Sequence, residues 1–157
     1  MMTAASVIIY IQIGIWVDAV LPLIGCILRP MIVVFLLTSF FHLQSLEIIA
    51  PTLFGSAMYA ALIPCPFGWI SVLFVPASLL YAVIYVKLRN KVTPEINFLI
   101  SGAGAGVLYL LFISLFLPTQ LMTIAKYTPV IFVLALVLGL IQRSIGRVKC
   151  NNCSGCD

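Results

Sequence analysis

Charged residues are scarce in this chain, and acidic residues are the scarcest of them. Its 157 residues include eight Lys or Arg, four Asp or Glu and one His, so that 8% of the chain is charged. A typical soluble domain is about 25% charged, because its surface must face water. The hydrophobic fraction of 64% and the mean hydropathy of +1.26 exclude that class. The composition therefore predicts an integral membrane protein whose apolar side chains face lipid as well as each other.

Long apolar segments predict an all-α, polytopic helical bundle with six transmembrane helices. A helix that crosses the bilayer core needs about 20 apolar residues, and its backbone groups must bond within the helix. The predicted spans are 6–28, 30–44, 46–63, 67–86, 95–117 and 128–146. Turn residues such as Arg29-Pro30 and Pro64-Cys65-Pro66 separate them. The second and third spans are short, so one of them is alternatively a re-entrant element, which leaves five full crossings. Residues 1–147 form one bundle domain, followed by a short Cys-rich cytoplasmic tail at 148–157.

The basic residues predict the orientation of this bundle. Six of the eight lie on one predicted side, namely Lys87, Arg89, Lys91, Arg143, Arg147 and Lys149. The other side has only Arg29 and Lys126. Because cytoplasmic loops carry an excess of Lys and Arg, both termini are expected in the cytoplasm and the bundle in the cytoplasmic (inner) membrane. Basic residues that flank apolar spans are topology signals, so nucleic acid is not an expected partner.

Asp18 lies near the middle of the first predicted span. The helical face that it occupies at 3.6-residue periodicity consists of Gly14, Asp18, Leu21, Pro22 and Gly25. A carboxylate at that depth costs about 2.5–3.5 kcal/mol, so this small and polar face is expected to pack inward. Two interpretations remain open. Asp18 is either an intramembrane proton or ligand site, or a protonated side chain bonded to a neighbouring helix.

A run of small residues in the fifth span predicts close helix packing. Gly102 and Gly106 form a GxxxG motif, and Ser101 and Ala105 repeat the spacing. Small residues at this spacing let helix backbones approach closely. The partner is either another helix of the same chain or a helix of a second protein.

Three cysteines near the C-terminus, Cys150, Cys153 and Cys156, have C-x2-C-x2-C spacing. Thiolates at this spacing bind soft metals such as zinc, with Asp157 or a second chain as the fourth ligand. Alternatively the cysteines are acylated beside the membrane, or the tail is reduced and binds nothing. The sequence implies no other cofactor.

Catalytic side chains do not form a recognisable set in this sequence. It has no Ser/His/Asp set at suitable depths, no acid-rich metal motif and no paired carboxylates, so the chain is not expected to be an enzyme. A membrane enzyme for lipid or isoprenoid substrates is the hypothesis that the residues support least. Glu95 follows Thr93-Pro94 and Glu47 follows Ser45, and both acids are predicted to lie in the first turn of a helix.

A series of short features occurs in a fixed order over most of residues 8–147. They are Gln12, Leu21-Pro22, Gly25, Arg29-Pro30, Phe54-Gly55, Pro66-Phe67-Gly68, Leu88-Arg89, Thr128-Pro129 and the basic residues after the last span. Their order resembles the MreD family of rod-shape-determining bacterial membrane proteins. Where that family often has an acid in the third span, this chain has Met58-Tyr59-Ala60. The Cys-rich tail is a second departure from the family pattern.

The resemblance implies a non-enzymatic scaffold or accessory subunit of the cell-wall elongation machinery, which sets cell shape and supports peptidoglycan synthesis. Its partners would be the lipid bilayer, an MreC-like protein and the wall-synthesis subunits. The resemblance also implies a six-helix bundle similar to the substrate-binding subunits of energy-coupling vitamin transporters. The alternative hypothesis is therefore a small transporter or substrate-binding membrane subunit, in which Asp18 would belong to a midplane site.

Overall fold

Six α-helices make up almost all of the part of the chain that the structure describes. The structure is a computed structural model, and it describes residues 2–20, 25–39, 45–62, 72, 74–116 and 118–152. The helices are α1 (Met2–Val20), α2 (Gly25–Ser39), α3 (Ser45–Leu62), α4 (Phe74–Leu88), α5 (Pro94–Phe116) and α6 (Leu121–Asn152). A short 3-10 helix, Pro118–Gln120, precedes α6, and these residues contain no strand. The all-α prediction is confirmed, with six helices.

Helix α2 is the centre of the bundle. It packs against each of the other five helices, and none of its side chains that the structure describes is exposed. Met31, Val34 and Leu37 have no accessible surface at all. Around α2, α1 packs on α3, α3 on α4, α4 on α5 and α5 on α6. A helix that is apolar on every face is stable only where it is covered on every face, and α2 is covered in this way.

The boundary predicted at Arg29-Pro30 is wrong. Helix α1 ends at Val20 and α2 begins at Gly25, so that Arg29 and Pro30 both lie inside α2. Pro30 has no N–H and removes one backbone hydrogen bond from α2. Arg29 donates from Nε to the carbonyl of Gly25 at 3.3 Å. The Arg-Pro pair was interpreted as a loop because it is typical of loops, whereas here its charge is satisfied inside the bundle.

The other predicted boundaries differ in accuracy. The predicted third and fifth spans, 46–63 and 95–117, agree with α3 and α5 to within one residue. Helix α3 runs without a break through Pro51. Of the predicted break at Gln44-Ser45, Ser45 is the first residue of α3, and residue 44 falls outside the described residues. The predicted break at Pro64-Cys65-Pro66 and the predicted start of the fourth span also fall outside them. Helix α4 ends at Leu88, slightly beyond the predicted end at residue 86.

Helix α6 is longer than predicted at both ends. Thr128-Pro129, which predicted the start of the helix, lies within it, because α6 begins at Leu121. The helix continues past 146 to Asn152 and so includes the first residues of the predicted tail. Its 32 residues span about 48 Å at 1.5 Å per residue, which exceeds a bilayer core of about 30 Å. Residues 153–157 of the predicted tail lie outside the described residues.

Two helices of the described chain are long and apolar enough to span a membrane. They are Pro94–Phe116 and the segment Ala125–Ile145, with mean hydropathies of 2.1 and 1.9. The core helix of a soluble protein would pass the same test, but it would be mostly buried. Here only 33% and 17% of the residues are buried in the 18-residue apolar segments of the two helices. The apolar parts of the other four helices are shorter, namely Ala4–Val20, Leu28–Ser39, Glu47–Leu62 and Phe74–Leu88.

Candidate functional site: an ion pair and a polar network on the central helix

Asp18, Arg29 and Tyr59 meet where α1, α2 and α3 pack together, and we name them the Asp18 cluster. Arg29 Nη2 lies 3.3 Å from Asp18 Oδ2, and the two side chains are only 6% and 15% exposed. The Tyr59 hydroxyl donates to the same Asp18 oxygen at 2.6 Å. The Arg29 guanidinium lies over the Tyr59 ring, 3.9 Å from its centroid. Each of the three side chains therefore contacts the other two, and each belongs to a different helix.

Two glycines give the Asp18 cluster its space. A Cβ atom on Gly14 would overlap the Tyr59 ring and lie 2.9 Å from Arg29 Cδ. A Cβ atom on Gly25 would overlap Asp18 Oδ1. Any larger residue at either position must therefore displace a member of the cluster. The small residues bring α1 close to α2 and α3, so that the short Asp18 side chain can reach both of them.

The structure corrects where Asp18 lies. It is in the last turn of α1, which ends at Val20, rather than near the middle of a long first span. Of its predicted helical face, Gly25 belongs to α2, and residues 21 and 22 lie outside the described residues. Asp18 contacts Arg29 of α2 and Tyr59 of α3. The interpretation of Asp18 as a protonated side chain stays a prediction. The ligand-site interpretation stays a prediction.

Sequence reasoning missed Arg29 and Tyr59. The Arg29-Pro30 pair predicts a turn, and Met58-Tyr59-Ala60 differs from the family pattern without indicating a site. A usable signal was present, because Arg29 is the first and only Lys or Arg before Lys87. An acid inside an apolar helix needs a nearby base, and within residues 1–86 Arg29 is the one Lys or Arg that can supply it. Tyr59 had no comparable signal, since tyrosine is common in apolar helices.

A second set of polar side chains lies toward the other end of α2, and we name it the Gln142 network. Gln142 of α6 donates from Nε2 to the Thr38 hydroxyl at 3.1 Å. The hydroxyl of Tyr85 in α4 donates to Gln142 Oε1 at 3.0 Å. Thr38 donates in turn to the carbonyl of Val34 in its own helix at 2.7 Å. Three helices are thus joined through one buried threonine of α2.

The network extends to α5 through Asn97 and Ser101. The Asn97 amide donates to the backbone carbonyl of Tyr85 at 3.0 Å, and Ser101 donates to Asn97 Oδ1 at 3.3 Å. Both side chains are almost completely buried, with exposures of 1% and 0%. Ser101 was predicted as a small packing residue, and its hydroxyl also takes part in this hydrogen-bonded chain.

The small residues of α5 divide between two faces. Ser101 and Ala105 are buried inside the bundle. A Cβ atom on Gly102 would meet only Met31 Sδ, at 4.0 Å, and one on Gly106 would meet nothing within 4 Å. The two glycines line an apolar groove of about 140 Å³ between α5 and α6. Neither glycine of the GxxxG motif is therefore in tight contact with α6. Packing of the motif against a partner helix stays a prediction.

Helices α5 and α6 approach each other closely at Gly139. A Cβ atom there would overlap Glu95 Cα and lie 2.9 Å from the Glu95 backbone nitrogen. Glu95 also accepts a hydrogen bond from Arg143 Nη1 at 3.1 Å, with side-chain exposures of 11% and 47%. The helix start predicted from Thr93-Pro94 is confirmed, because α5 begins at Pro94. Glu95 thus lies in the first turn of α5 and also ties α5 to α6.

The cysteines of the predicted zinc site remain untested. Cys150 belongs to α6. Cys153 and Cys156 fall outside the described residues. Within the described part of the chain, no group of three or more His, Cys, Asp or Glu residues is arranged to hold a metal ion. Zinc binding by the tail stays a prediction.

The Asp18 cluster combines an acid, a base and a phenol, and the three groups bond to one another. Such an arrangement can hold three helices together, and it can also offer a charged site to a ligand that displaces one partner. Comparison with known proteins does not decide between these roles, because no protein-family model, curated protein or solved structure matches the chain.

Proposed function

We propose that this chain is a polytopic protein of the cytoplasmic membrane that acts as a non-enzymatic scaffold. The observation that carries the proposal is the distribution of side chains. Large apolar side chains such as Trp16, Leu115 and Met122 are at least 70% exposed, whereas Thr52 and Ser101 have no accessible surface. Soluble proteins bury apolar side chains and expose polar ones, and wide exposed apolar surfaces mark contact with a membrane or a partner.

The short helices are compatible with this location. Lipid tails can cover the apolar outer faces of α1, α3 and α4 even where the helix is shorter than the bilayer core. A span that is too short is accommodated by thinning of the bilayer or by neighbouring longer helices, at a modest cost. Helices α5 and α6, which are long enough by themselves, would set the depth of the bundle.

The positions of the charges support an orientation with both termini in the cytoplasm. Lys87, Arg89 and Lys91 lie at the turn between α4 and α5, and Arg143 lies close to that turn because it pairs with Glu95. At the opposite end of the bundle, Arg29 is neutralised by Asp18 and is buried. The buried pair therefore adds no net charge to that end of the bundle, which increases the charge asymmetry that the positive-inside rule uses.

Reporter fusions and extraction test this placement. A fluorescent protein that folds only in the cytoplasm should be active when it is fused after residue 157, and a reporter active only in the periplasm should be inactive. The chain should stay with the membrane after extraction at alkaline pH. Release by alkaline extraction would refute the membrane location, whereas periplasmic activity would refute only the orientation.

The connected interior supports a scaffold role. The Asp18 cluster joins α1, α2 and α3, and the Gln142 network joins α2, α4, α5 and α6. The ion pair and the hydrogen bonds of polar side chains thus connect all six helices. A bundle held at both ends of its central helix is suited to present a fixed surface to partners. Together with the resemblance to MreD, this supports a place in the cell-wall elongation machinery, with an MreC-like protein and wall-synthesis subunits as partners.

Co-purification and depletion test the scaffold role. The tagged chain, solubilised in mild detergent, should retain the MreC protein of its own cell and not an unrelated protein of the same membrane. Depletion should turn rod-shaped cells round, because elongation of the wall would lose its membrane subunit. Normal cell shape after complete depletion would contradict the proposal.

The Asp18 cluster supports one alternative, a transporter or substrate-binding membrane subunit. Charged side chains within apolar helices often mark a substrate or ion pathway. If Asp18 binds a substrate or a coupling ion, Asp18→Asn should abolish uptake while the bundle still folds. Unchanged uptake of every transported compound in that variant would remove the support for the alternative.

A further inference from the structure

Gln12 is a polar side chain on the outer face of the apolar helix α1. It is the central residue of the segment Ala4–Val20, with eight residues on either side. The side chain is exposed, and it makes no hydrogen bond within the part of the chain that the structure describes. The exposed side chains of Ser114 and Ser144 differ in this respect, because each donates to a carbonyl of its own helix, at 2.8 and 3.0 Å. The Gln12 amide is therefore available to a partner outside the described bundle.

The residues around Gln12 repeat with a period of seven. Side chains that are exposed recur at alternating spacings of three and four residues, and we name them the α1 seam: Ala5, Ile8, Gln12, Ile15 and Ala19. The two isoleucines are 64% and 46% exposed. The spacing is the a/d pattern by which two helices pack side by side, with Gln12 at the central a position. The seam covers two heptads, which is about 21 Å of helix axis.

The α1 seam lies on the side of α1 that faces away from the bundle. The buried residues of α1 are Ser6, Tyr10 and Gly14. At 3.6 residues per turn, the seam is on the opposite side of the helix from these three. Helix α1 packs on α2 and α3 through its buried side, so a partner on the seam would not displace the Asp18 cluster.

In the membrane location proposed above, lipid tails cannot satisfy the Gln12 amide. Hydrocarbon has neither donors nor acceptors, so an amide that faces it loses the hydrogen bonds that it has in water. Glutamine side chains in membrane helices instead form hydrogen bonds with polar groups of neighbouring helices. A suitable partner must offer both a donor and an acceptor at the depth of Gln12.

A second copy of this chain meets that requirement. A primary amide has both donors and an acceptor, so two Gln12 side chains can pair through reciprocal N–H···O bonds. Two copies with the same orientation in the membrane are related by a two-fold axis along its normal, which places the two amides at the same depth and makes the α1 helices parallel. In a parallel pair the a positions face each other, and a single polar a residue fixes the register. Ala5 and Ala19, the neighbouring a positions, are small enough to let the two backbones approach.

We propose that the α1 seam is a homodimer interface in which the Gln12 amides of two copies pair near the centre of the bilayer. The proposal rests on the membrane location proposed above and is independent of the scaffold role. It assigns to Gln12 the same function within the dimer that buried polar side chains have within the bundle, because the amide determines which helix positions meet. The isoleucines of the seam add packing on either side of the amide pair.

Single-molecule photobleaching of the labelled full chain, reconstituted in liposomes at increasing density, tests the proposal. The parent should change from one to two copies per cluster as the density rises. Gln12→Leu should raise the dissociation constant of the dimer by about tenfold, because the interhelical hydrogen bonds are lost. Gln12→Asn keeps a self-complementary amide and should still form dimers. Ser114→Leu is the matched control, because it also replaces an exposed polar side chain of an apolar helix, and it should dimerise like the parent.

A steric variant tests the rest of the α1 seam. Ala5→Trp should weaken the dimer several-fold, whereas Ala125→Trp, at an exposed alanine of α6, should not. Circular dichroism establishes that each variant is folded. A parent that is monomeric at every density, or equal effects of Gln12→Leu and Ser114→Leu, would overturn the proposal.

Two further outcomes are distinguishable. If the parent is monomeric in liposomes but a different membrane protein co-purifies with it and is lost in Gln12→Leu, the seam binds a helix of that protein and the assignment to a second copy is wrong. Release of the chain by alkaline extraction would instead refute the membrane location.

Discussion

Breaking the ion pair of the Asp18 cluster should destabilise the bundle more than any other change to a charged side chain. Asp18 and Arg29 are 15% and 6% exposed and lie 3.3 Å apart. Removing one member of a buried pair leaves the other charge uncompensated, which typically costs about 3–5 kcal/mol. We therefore expect Arg29→Met and Asp18→Asn each to lower the free energy of unfolding by about that amount.

The double variant Arg29→Met/Asp18→Asn isolates the interaction energy between the two charges from their other contacts. Once Arg29 is Met, Asp18→Asn removes a charge that no longer has a partner, so the second substitution should cost little. Residues in direct contact commonly show coupling energies of about 0.5–3 kcal/mol, and we expect the upper part of that range here. Asp18→Asn keeps an acceptor for the Tyr59 hydroxyl, which lies 2.6 Å from Asp18. The double-mutant cycle therefore measures the coupling energy between the two charges.

The pair between Glu95 and Arg143 is the matched control. Arg143 Nη1 lies 3.1 Å from Glu95 Oε1, close to the 3.3 Å between Arg29 and Asp18, but the Arg143 side chain is 47% exposed. Exposed pairs contribute about 0.2–1 kcal/mol, so the same cycle with Glu95→Gln and Arg143→Met should give a much smaller coupling. Unfolding of the purified chain in mild detergent, titrated with a denaturing detergent and followed by circular dichroism, measures both cycles. Additive effects in the Asp18 cycle, or an Arg29→Met variant as stable as the parent, would refute the reasoning.

Four further substitutions test the packing and the buried polar atoms by the same measurement of unfolding. Gly139→Ala should destabilise by about 1–3 kcal/mol, because its Cβ would overlap the Glu95 backbone, which cannot rotate away. Gly106→Ala should stabilise by about 0.5–1 kcal/mol, because the new Cβ meets open space; equal effects at the two glycines would contradict both expectations. Tyr81→Phe should leave the stability unchanged or raise it, because the buried Tyr81 hydroxyl has no hydrogen-bond partner among the described residues. Tyr85→Phe should lower the free energy of unfolding by about 0.5–1.5 kcal/mol, because it removes the hydrogen bonds to Gln142. A Tyr81→Phe variant less stable than Tyr85→Phe would contradict both expectations.

The helices that sequence reasoning placed well are those whose ends carry their own local signals. Thr93-Pro94 marks the start of α5, and the basic residues after Leu88 mark the end of α4. Such signals act through the backbone of a few neighbouring residues, so they can be read without knowledge of the fold. Pro30 and Pro129 gave the same kind of signal and were misleading, because both lie inside helices. Packing within the bundle outweighs the loss of one backbone hydrogen bond at each of them.

The polar contacts of the candidate site could not be read in the same way. Tyr59 is 41 residues from its partner Asp18, and Gln142 is 104 residues from Thr38. Nothing local to these residues indicates which helix face will meet which. Only the scarcity of Lys and Arg pointed to a partner for Asp18, because Arg29 is the one residue of these types before Lys87. Neutral polar side chains do not need a partner of opposite charge, so the sequence does not indicate which of them will form hydrogen bonds. The Gln142 network could therefore not be predicted.

The two polar sets have a consequence for how this chain selects one bundle. In the membrane location proposed above, an apolar face would gain little by turning inward, because lipid tails are as apolar as the neighbouring helices. A helix such as α2, apolar on every side, would then have many rotations and axial positions of similar energy. Arg29 and Thr38 remove that freedom, because they lie about 14 Å apart along α2 and each bonds to side chains of other helices. A shift of α2 along its axis by one residue would break the contacts of both Arg29 and Thr38. A rotation of α2 that kept the contacts of one of these residues would break those of the other. The few polar side chains of an apolar sequence thus determine the register that its many apolar side chains cannot.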